Sequence, residues 1–401
     1  MAYHPFIGGA EVAIKEITDR VSPRDIEFHM ITLRYNSTFP SVEHVRNILV
    51  HRVGPGFKNT TIRDTHKSIF YPLKALFVPL AVLTALKLHR MHRYDGFWAM
   101  MTYMLFPIVL LRFLGVHVPY GLTLQEGDPF KHVFNRLRIL PFRPLLSYGF
   151  RHAQVLQAIS TYLAEWGNAM GFRGKPMIIP NGVDIQKFSK EYSRRELELL
   201  KQKLEKKVNT VFLITTSRLV KKNSIDSVIE ALPHLPKHIH FLILGSGPEE
   251  DNLKKLAFEQ GVMSRVCFLG DISQEDIPKY LKISDIFVRP SRSEGMGISF
   301  VEAMAAGVPV IATQEGGISD FLFDPEKNPD IKSTGLVVHM DDPKGIAKQT
   351  LRYESDISLR REITDNAKAL VRARYDWKAI APIMRERFFG LLLNESKRLS
   401  T

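Results

Sequence analysis

Residues 291–317 read SRSEGMGISFVEAMAAGVPVIATQEGG, and the parsing of this stretch decides the fold. Gly295 and Gly297 precede a short apolar helix, Gly307 and Pro309 stop it, and residues 310–312 launch a strand. This is a loop, helix and strand unit. Glycines let the backbone approach a ligand closely, and the free amides at a helix start carry partial positive charge. The backbone at Gly295, Met296, Gly297 and Ile298 is therefore a candidate seat for phosphate.

Two carboxylates flank the loop, Glu294 before it and Glu302 inside the helix. Glu302 stands among Phe300, Val301, Ala303, Met304, Ala305 and Ala306, where an unpaired charge is costly. It needs a partner. A carboxylate accepts two hydrogen bonds side by side, which suits the neighbouring hydroxyls of a ribose, and Glu294 is placed to accept from a sugar hydroxyl. A nucleotide joined by diphosphate to a sugar offers all three features. The plainer reading also stands on these residues alone: Glu302 on the outer face of a surface helix, with the glycines making a turn.

The segment from Glu294 to Gly317 resembles the signature of retaining glycosyltransferases with the GT-B fold, glycosyltransferase family 4. The shared pattern is two glutamates with seven residues between them, inside E-G-x-G-I-x-x-x-E-A-M-A-x-G-x-P-V-I-A-T, followed by Gly316 and Gly317. The resemblance implies an α/β chain of two Rossmann-like domains facing each other across a deep cleft. It implies a UDP- or GDP-sugar donor and a glycan or lipid-linked glycan acceptor, as in polysaccharide or lipopolysaccharide synthesis. In that setting Glu302 holds ribose and Glu294 orients the transferred sugar.

Length and charge agree with two domains. A chain of 401 residues is long for one core, and 45% hydrophobic with 24% charged residues is a globular composition. The single cysteine, Cys267, lies in an apolar run and reads as a buried strand thiol of a reducing compartment. The first residues, MAYHPFIGGAE, lack the basic start and apolar core of a secretory signal, which points to the cytoplasm. Of the net charge of +13, about +10 falls in residues 1–180, with 21 Lys and Arg against 11 Asp and Glu. Such a surplus suits nucleic acid, an anionic membrane surface or an acidic acceptor, and is equally compatible with a soluble basic face. The resemblance favours a membrane surface or acceptor and no nucleic acid.

From the start of the chain, Gly8 and Gly9 with Val12, Ile14 and Ile17 read as a glycine loop opening a helix. They resemble the family's N-terminal Gly-Gly loop, whose backbone lies against the donor diphosphate. The family has a full apolar strand before that loop, and here only Met1, Ala2 and Tyr3 precede His4 and Pro5. The first strand is expected to be short or missing. Residues 26–33 and 45–53 alternate as two strands.

Residues 69–88 read as an interrupted helix and residues 97–111 as a second apolar block, with Pro79 and Pro107 breaking them. Neither offers the roughly 18 uninterrupted apolar residues that cross a bilayer. Each is a buried core helix on the simplest reading. The sharper reading lays residues 67–93 along an anionic membrane surface, and peripheral attachment is frequent in the family.

After the strand at 116–124, Gln125 stands where many relatives place a cleft histidine and cannot take or give a proton; Glu126 or Asp128 reads as serving an acceptor hydroxyl instead, or equally as a turn residue with no chemical role. Residues 179–184, IPNGVD, resemble the phrase where the first domain hands over to the second. The expected domains are 1–185 and 186–375, with 376–401 as a helix returning to the first domain, anchored by Trp377, Tyr375 and Phe388.

The second half repeats strand and helix, which argues for a parallel sheet covered on both faces. After a strand at 211–215 come Arg218 and Lys222, which match the arginine and lysine that relatives place there to grip the diphosphate, with Lys221 as the alternative to Lys222. Alone, such residues are more often a solvated face. Asn223 stands where relatives commonly have glycine. Gly245 opens the loop GSGP, which lacks the third glycine of a dinucleotide fingerprint. No D-x-D triplet and no His/Cys cluster of metal-ligand spacing occurs. No metal and no cofactor beyond the donor substrate is therefore expected, and charge leaving with the nucleotide falls to Arg218, Lys222 and helix amides. Two rivals share the architecture: a nucleotide-sugar epimerase and a non-catalytic binding protein.

Overall fold

The computed structural model describes residues 3–5, 8–60, 64 and 70–400, with side chains to residue 395. The chain divides into two compact units, residues 1–181 with 377–401, and residues 182–376. The boundary falls just before the expected 185/186 because the NGVD turn is tied into the second unit. There Val183 bridges Asp376, and its N–H donates to the Tyr375 carbonyl at 2.7 Å.

The first unit holds two sheets. One is β1 (Phe28–Leu33), β3 (Ile48–Val53) and β2 (Val42–Val45) in that order, with β1 and β3 parallel and β2 antiparallel. Residues 45–53, expected as one strand, instead turn at Arg46, whose φ is 52°, so β2 and β3 form a hairpin. Asn47 pins the turn by donating to the carbonyls of Thr18 and Val21 at 2.9 and 2.7 Å. The other sheet is parallel: β4 (Phe97–Met100), β5 (Tyr120–Leu124), β6 (Val155–Ala158) and β7 (Met177–Ile178). Met1 and Ala2 lie outside the described residues. Tyr3, buried, packs with Ile14, Ile48 and Val50, beside Trp98 and Met100 of the second sheet.

The apolar blocks differ from expectation. Residues 97–100 are strand β4, and only Leu105–Phe113 is helical. The other block is one continuous helix, Tyr71–His92, with Pro79 inside it. Pro79 is tolerated because it and Ala75, whose carbonyl it leaves unbonded, are both exposed. By length and composition this helix is apolar enough to cross a membrane, yet it is not a buried core helix, since only a third of its apolar window is covered. Leu73, Phe77, Ala81, Val82, Ala85 and Leu88 face inward. Tyr71, Leu76, Leu83 and Met91 are exposed. Lys67 and Ile69, included in the sequence reading of this segment, lie outside the described residues.

The last residues complete the first unit's core: Trp377, Ile380, Met384, Phe388 and Phe389 cluster with Ala13, Ile17, Val155 and Ile179. Tyr375 does not join them; it packs edge-on against Phe321 in the second unit.

The second unit is one parallel sheet of β8 (Val211–Thr216), β9 (Ile239–Leu244), β10 (Val266–Gly270), β11 (Ile286–Arg289), β12 (Val310–Ala312) and β13 (Leu336–Val337). The order is β10-β9-β8-β11-β12-β13. Strand runs such as FLIL and IFVR are buried, as expected of a sheet covered on both faces. Cys267, read as buried, is half-buried on β10, and burial pushes its thiol up. The strand order reverses direction between β8 and β11. In open α/β sheets that reversal leaves a crevice at the carboxyl ends of the two strands, where ligands bind.

Candidate active site

The last residues of β8 and β11 meet across this switch point. Arg289, the final residue of β11, donates from Nη1 to the Thr216 carbonyl at 3.3 Å and to Ser299 Oγ at 2.7 Å. Its Nη2 reaches Glu294 Oε2 at 3.1 Å, and the guanidinium lies 4.2 Å from the Phe300 ring centroid. Arg289 is 5% exposed. The sequence reading passed over it because an arginine next to Pro290 looks like any loop cation. Only the tertiary fold shows that it is buried against Glu294 and within electrostatic reach of Glu302.

The loop expected to seat phosphate is built as its glycines demand. Gly297 has φ 86° and is the N-cap of the helix Ile298–Ala306 without a side-chain cap. The Phe300 N–H donates to the Gly297 carbonyl at 3.2 Å, which leaves the amides of Ile298 and Ser299 to a ligand. A Cβ at Gly297 would meet the Phe300 ring at 2.5 Å and Arg289 Nη2 at 2.8 Å. The helix ends at Gly307, left-handed at φ 81°, which lets the chain turn into β12. Gly295 and Met296 are buried, so Met296 offers its backbone, and Ile298 is half-exposed.

Glu302 is only partly exposed, with Phe300, Val301, Ala303 and Met304 around it buried, so it does not lie on a fully solvated outer face. Burial pushes its carboxyl up to about 7, against the pull of Lys187 and Arg289. Lys187 comes from the short helix Ile185–Phe188, opened by Asp184, whose carboxylate accepts the Lys187 N–H at 3.0 Å. Among the described residues no group donates a hydrogen bond to Glu302. A carboxyl so placed gains by meeting hydroxyl donors.

The basic turn follows β8. Arg218 is exposed and Lys222 half-buried. Asn223 Nδ2 donates to the Arg218 carbonyl at 2.7 Å and closes the turn. Gly245 has φ 135° and lies so close to Ser217 that a Cβ there would collide with the Ser217 carbonyl oxygen. Its N–H donates to the Gly270 carbonyl at 2.7 Å, and Ser246 Oγ donates to Asp271 at 2.7 Å. The carboxyl ends of β8, β9, β10 and β11 thus bring Arg218, Lys222, Gly245, Glu294, residues 295–298 and Glu302 to one rim of the second unit.

Gly8 and Gly9 belong to the first unit. Gly8 precedes the helix Gly9–Thr18, and the Glu11 carboxylate folds back over it, 2.6 Å from where a Cβ would stand. Also in the first unit, Glu126 is a brace rather than an acceptor-facing acid. It is buried, and its oxygens accept the N–H groups of Thr102 at 2.6 Å and Gln125 at 3.0 Å. It holds the turn after β4, where Met101 has φ 71°. Gln125 exchanges amide bonds with Asn181, both at 3.2 Å, and Asp128 is exposed.

Comparison with known proteins matches the glycosyltransferase family 4 model to residues 7–187 and the glycosyl transferases group 1 model to residues 197–370. The GDP-mannose-dependent monoacylated alpha-(1-6)-phosphatidylinositol monomannoside mannosyltransferase of Corynebacterium glutamicum is 31% identical over 254 residues, 61% of this chain and 63% of that protein. The chain thus spans less than two thirds of that relative's length. Sucrose-phosphate synthase from Thermosynechococcus elongatus has TM-score 0.80 at 20% identity, covering 96% of this chain and 94% of that one. Anabaena Alr3699/HepE, solved with UDP and glucose, has TM-score 0.75 at 21% identity, covering 97% and 98%. At these identities the likeness is one of fold. Two family models lying end to end over most of the sequence, on a parallel α/β fold shared with these enzymes, place the chain in the GT-B glycosyltransferases, glycosyltransferase family 4.

Proposed function

We propose that this chain transfers a hexose from a UDP- or GDP-sugar to a hydroxyl of a glycan or lipid-linked glycan, with retention and without a metal. The observation that carries the reading is the convergence of Glu294, the uncapped helix start at Gly297 and Glu302 beside the basic turn at the sheet's switch point. Glu302 accepts the ribose hydroxyls, and Glu294 accepts from the transferred sugar. Arg218, Lys222 and the amides of residues 295–298 meet the diphosphate, whose charge grows as the bond to the sugar breaks. The backbone at Gly245 approaches the nucleotide. The Anabaena neighbour holds UDP and glucose, and the Corynebacterium relative is named for a GDP-mannose donor and a phosphatidylinositol-linked acceptor.

The same reading includes peripheral attachment to an anionic membrane at its cytoplasmic face. The exposed apolar side of the helix Tyr71–His92, with Lys87, Arg90 and Arg93 toward its end, supports it.

A thermal-shift panel of UDP-, GDP- and ADP-sugars on the parent and Glu302→Ala tests the site. The parent is expected to be stabilised by one nucleotide class and the variant not. Equal shifts would remove the ribose role. Donor consumption without acceptor, yielding an epimer, would favour the epimerase. Stabilisation by none of the nucleotides would favour a non-catalytic protein, and loss of turnover in EDTA would end the metal-free reading.

A further inference from the structure

The guanidinium of Arg289 touches almost everything in the loop assigned above to the sugar. It bonds Glu294 Oε2 at 3.1 Å and Ser299 Oγ at 2.7 Å, and lies over Phe300. The Glu294 side chain is 15% exposed and that of Arg289 7%. Only Oε2 of Glu294 is taken; among the described residues Oε1 accepts no hydrogen bond. Arg289 Nε is buried and has no partner among the described residues. A carboxylate this enclosed is held in one rotamer by the guanidinium, because an enclosed charge without a counter-charge is costly.

We propose that Arg289 is a positioning residue for the transfer reaction: it fixes Glu294 through Oε2 and leaves Oε1 aimed at the sugar. The proposal rests on the functional reading above for the role of Glu294. Arg289 itself need not touch the donor, and it acts through the carboxylate. Its bond to Ser299 ties that carboxylate to the first turn of the helix Ile298–Ala306. The phosphate seat and the sugar-orienting group then move as one body. A lysine at 289 would keep the charge but lose the fork that reaches Glu294 and Ser299 together.

The test uses the full chain, with release of UDP from UDP-glucose and of GDP from GDP-mannose in the absence of acceptor. Arg289→Met is expected to lower kcat by at least about thirtyfold with KM within about threefold. Arg289→Lys is expected to return part of kcat. A purely structural arginine would leave the kcat of the folded variant in place. Melting of Arg289→Met, Glu294→Gln and the double variant gives a readout independent of turnover. The loss in Arg289→Met is expected to shrink in the double variant. Additive melting losses, or a kcat within about threefold of the parent, would overturn the proposal. Where the parent hydrolyses neither sugar without acceptor, the melting cycle alone decides the pairing.

Discussion

The backbone amide of Arg292 donates to the carbonyl of Lys222 at 2.7 Å. This bond ties the basic turn after β8 to the loop that carries Glu294 two residues later. The Arg292 side chain reinforces it, with Nη1 donating to the Lys221 carbonyl at 2.5 Å and ion pairs to Asp226 at 2.8 Å and Asp341 at 2.7 Å. Removing those pairs loosens Lys222 without touching Glu302. Arg292→Ala is expected to weaken UDP or GDP binding by about tenfold, or about 1.4 kcal/mol, while leaving the free nucleoside unaffected. Calorimetric titration of nucleotide and nucleoside side by side checks this, and equal losses for both would contradict it.

On the proposed ribose role of Glu302, donor binding is expected to depend on pH. Its carboxyl is pushed up to about 7 by burial, and only the ionised form accepts from both ribose hydroxyls. From pH 6 to 8 the ionised fraction climbs from about one tenth to about nine tenths, so nucleotide affinity is expected to rise by up to about tenfold. In Glu302→Gln the affinity is expected to be weaker and flat. Stability of the unliganded chain runs the other way. A raised carboxyl contributes stability that is fully present below the ordinary carboxylate range and lost as pH rises through about 7. The parent's Tm is expected to fall across that window more than that of Glu302→Gln.

Gly297 should tolerate no side chain. With φ at 86°, and with the Phe300 ring and Arg289 Nη2 where a Cβ would stand, Gly297→Ala combines backbone strain with a clash on a packed guanidinium. A loss of about 2–3 kcal/mol is expected from the two together. Denaturant melting measures it, and a loss under about 0.5 kcal/mol would show that the loop relaxes freely.

The exposed side of the helix Tyr71–His92 gives a separate test of membrane attachment. Leu76 is 52% exposed and Leu83 64%, so Leu76→Glu with Leu83→Glu should leave Tm within about 1 °C while reducing sedimentation with phosphatidylglycerol vesicles several-fold. Neutral phosphatidylcholine vesicles are expected to bind the parent weakly. Equal binding to both lipids would remove the electrostatic part of the claim, and undiminished binding by the double variant would remove the helix.

Much of this was legible before any coordinates. The E-G-M-G run, the apolar helix closed by Gly307 and the strand runs each depend on local conformational preference and on alternation or continuity of apolar residues, which neighbours in sequence determine. Local signals misled where a proline or a turn was judged alone. Pro79 stays inside a helix because the residues around it are solvated, and residues 45–53 split at Arg46 because Asn47 finds carbonyls some 26 to 29 residues away.

What sequence by itself determined is which side chains carry charge and which segments are helix, strand or glycine turn. Tertiary structure alone decided their company. The reversal of strand order between β8 and β11 buries Arg289 against Glu294 and sets Lys187 near Glu302, pairings separated by 5 and 115 positions that no periodicity encodes. The physical reason is that a charge's cost and ionisation depend on what surrounds it in space. Buried against Glu294, an arginine that reads as an ordinary loop cation becomes that carboxylate's counter-charge.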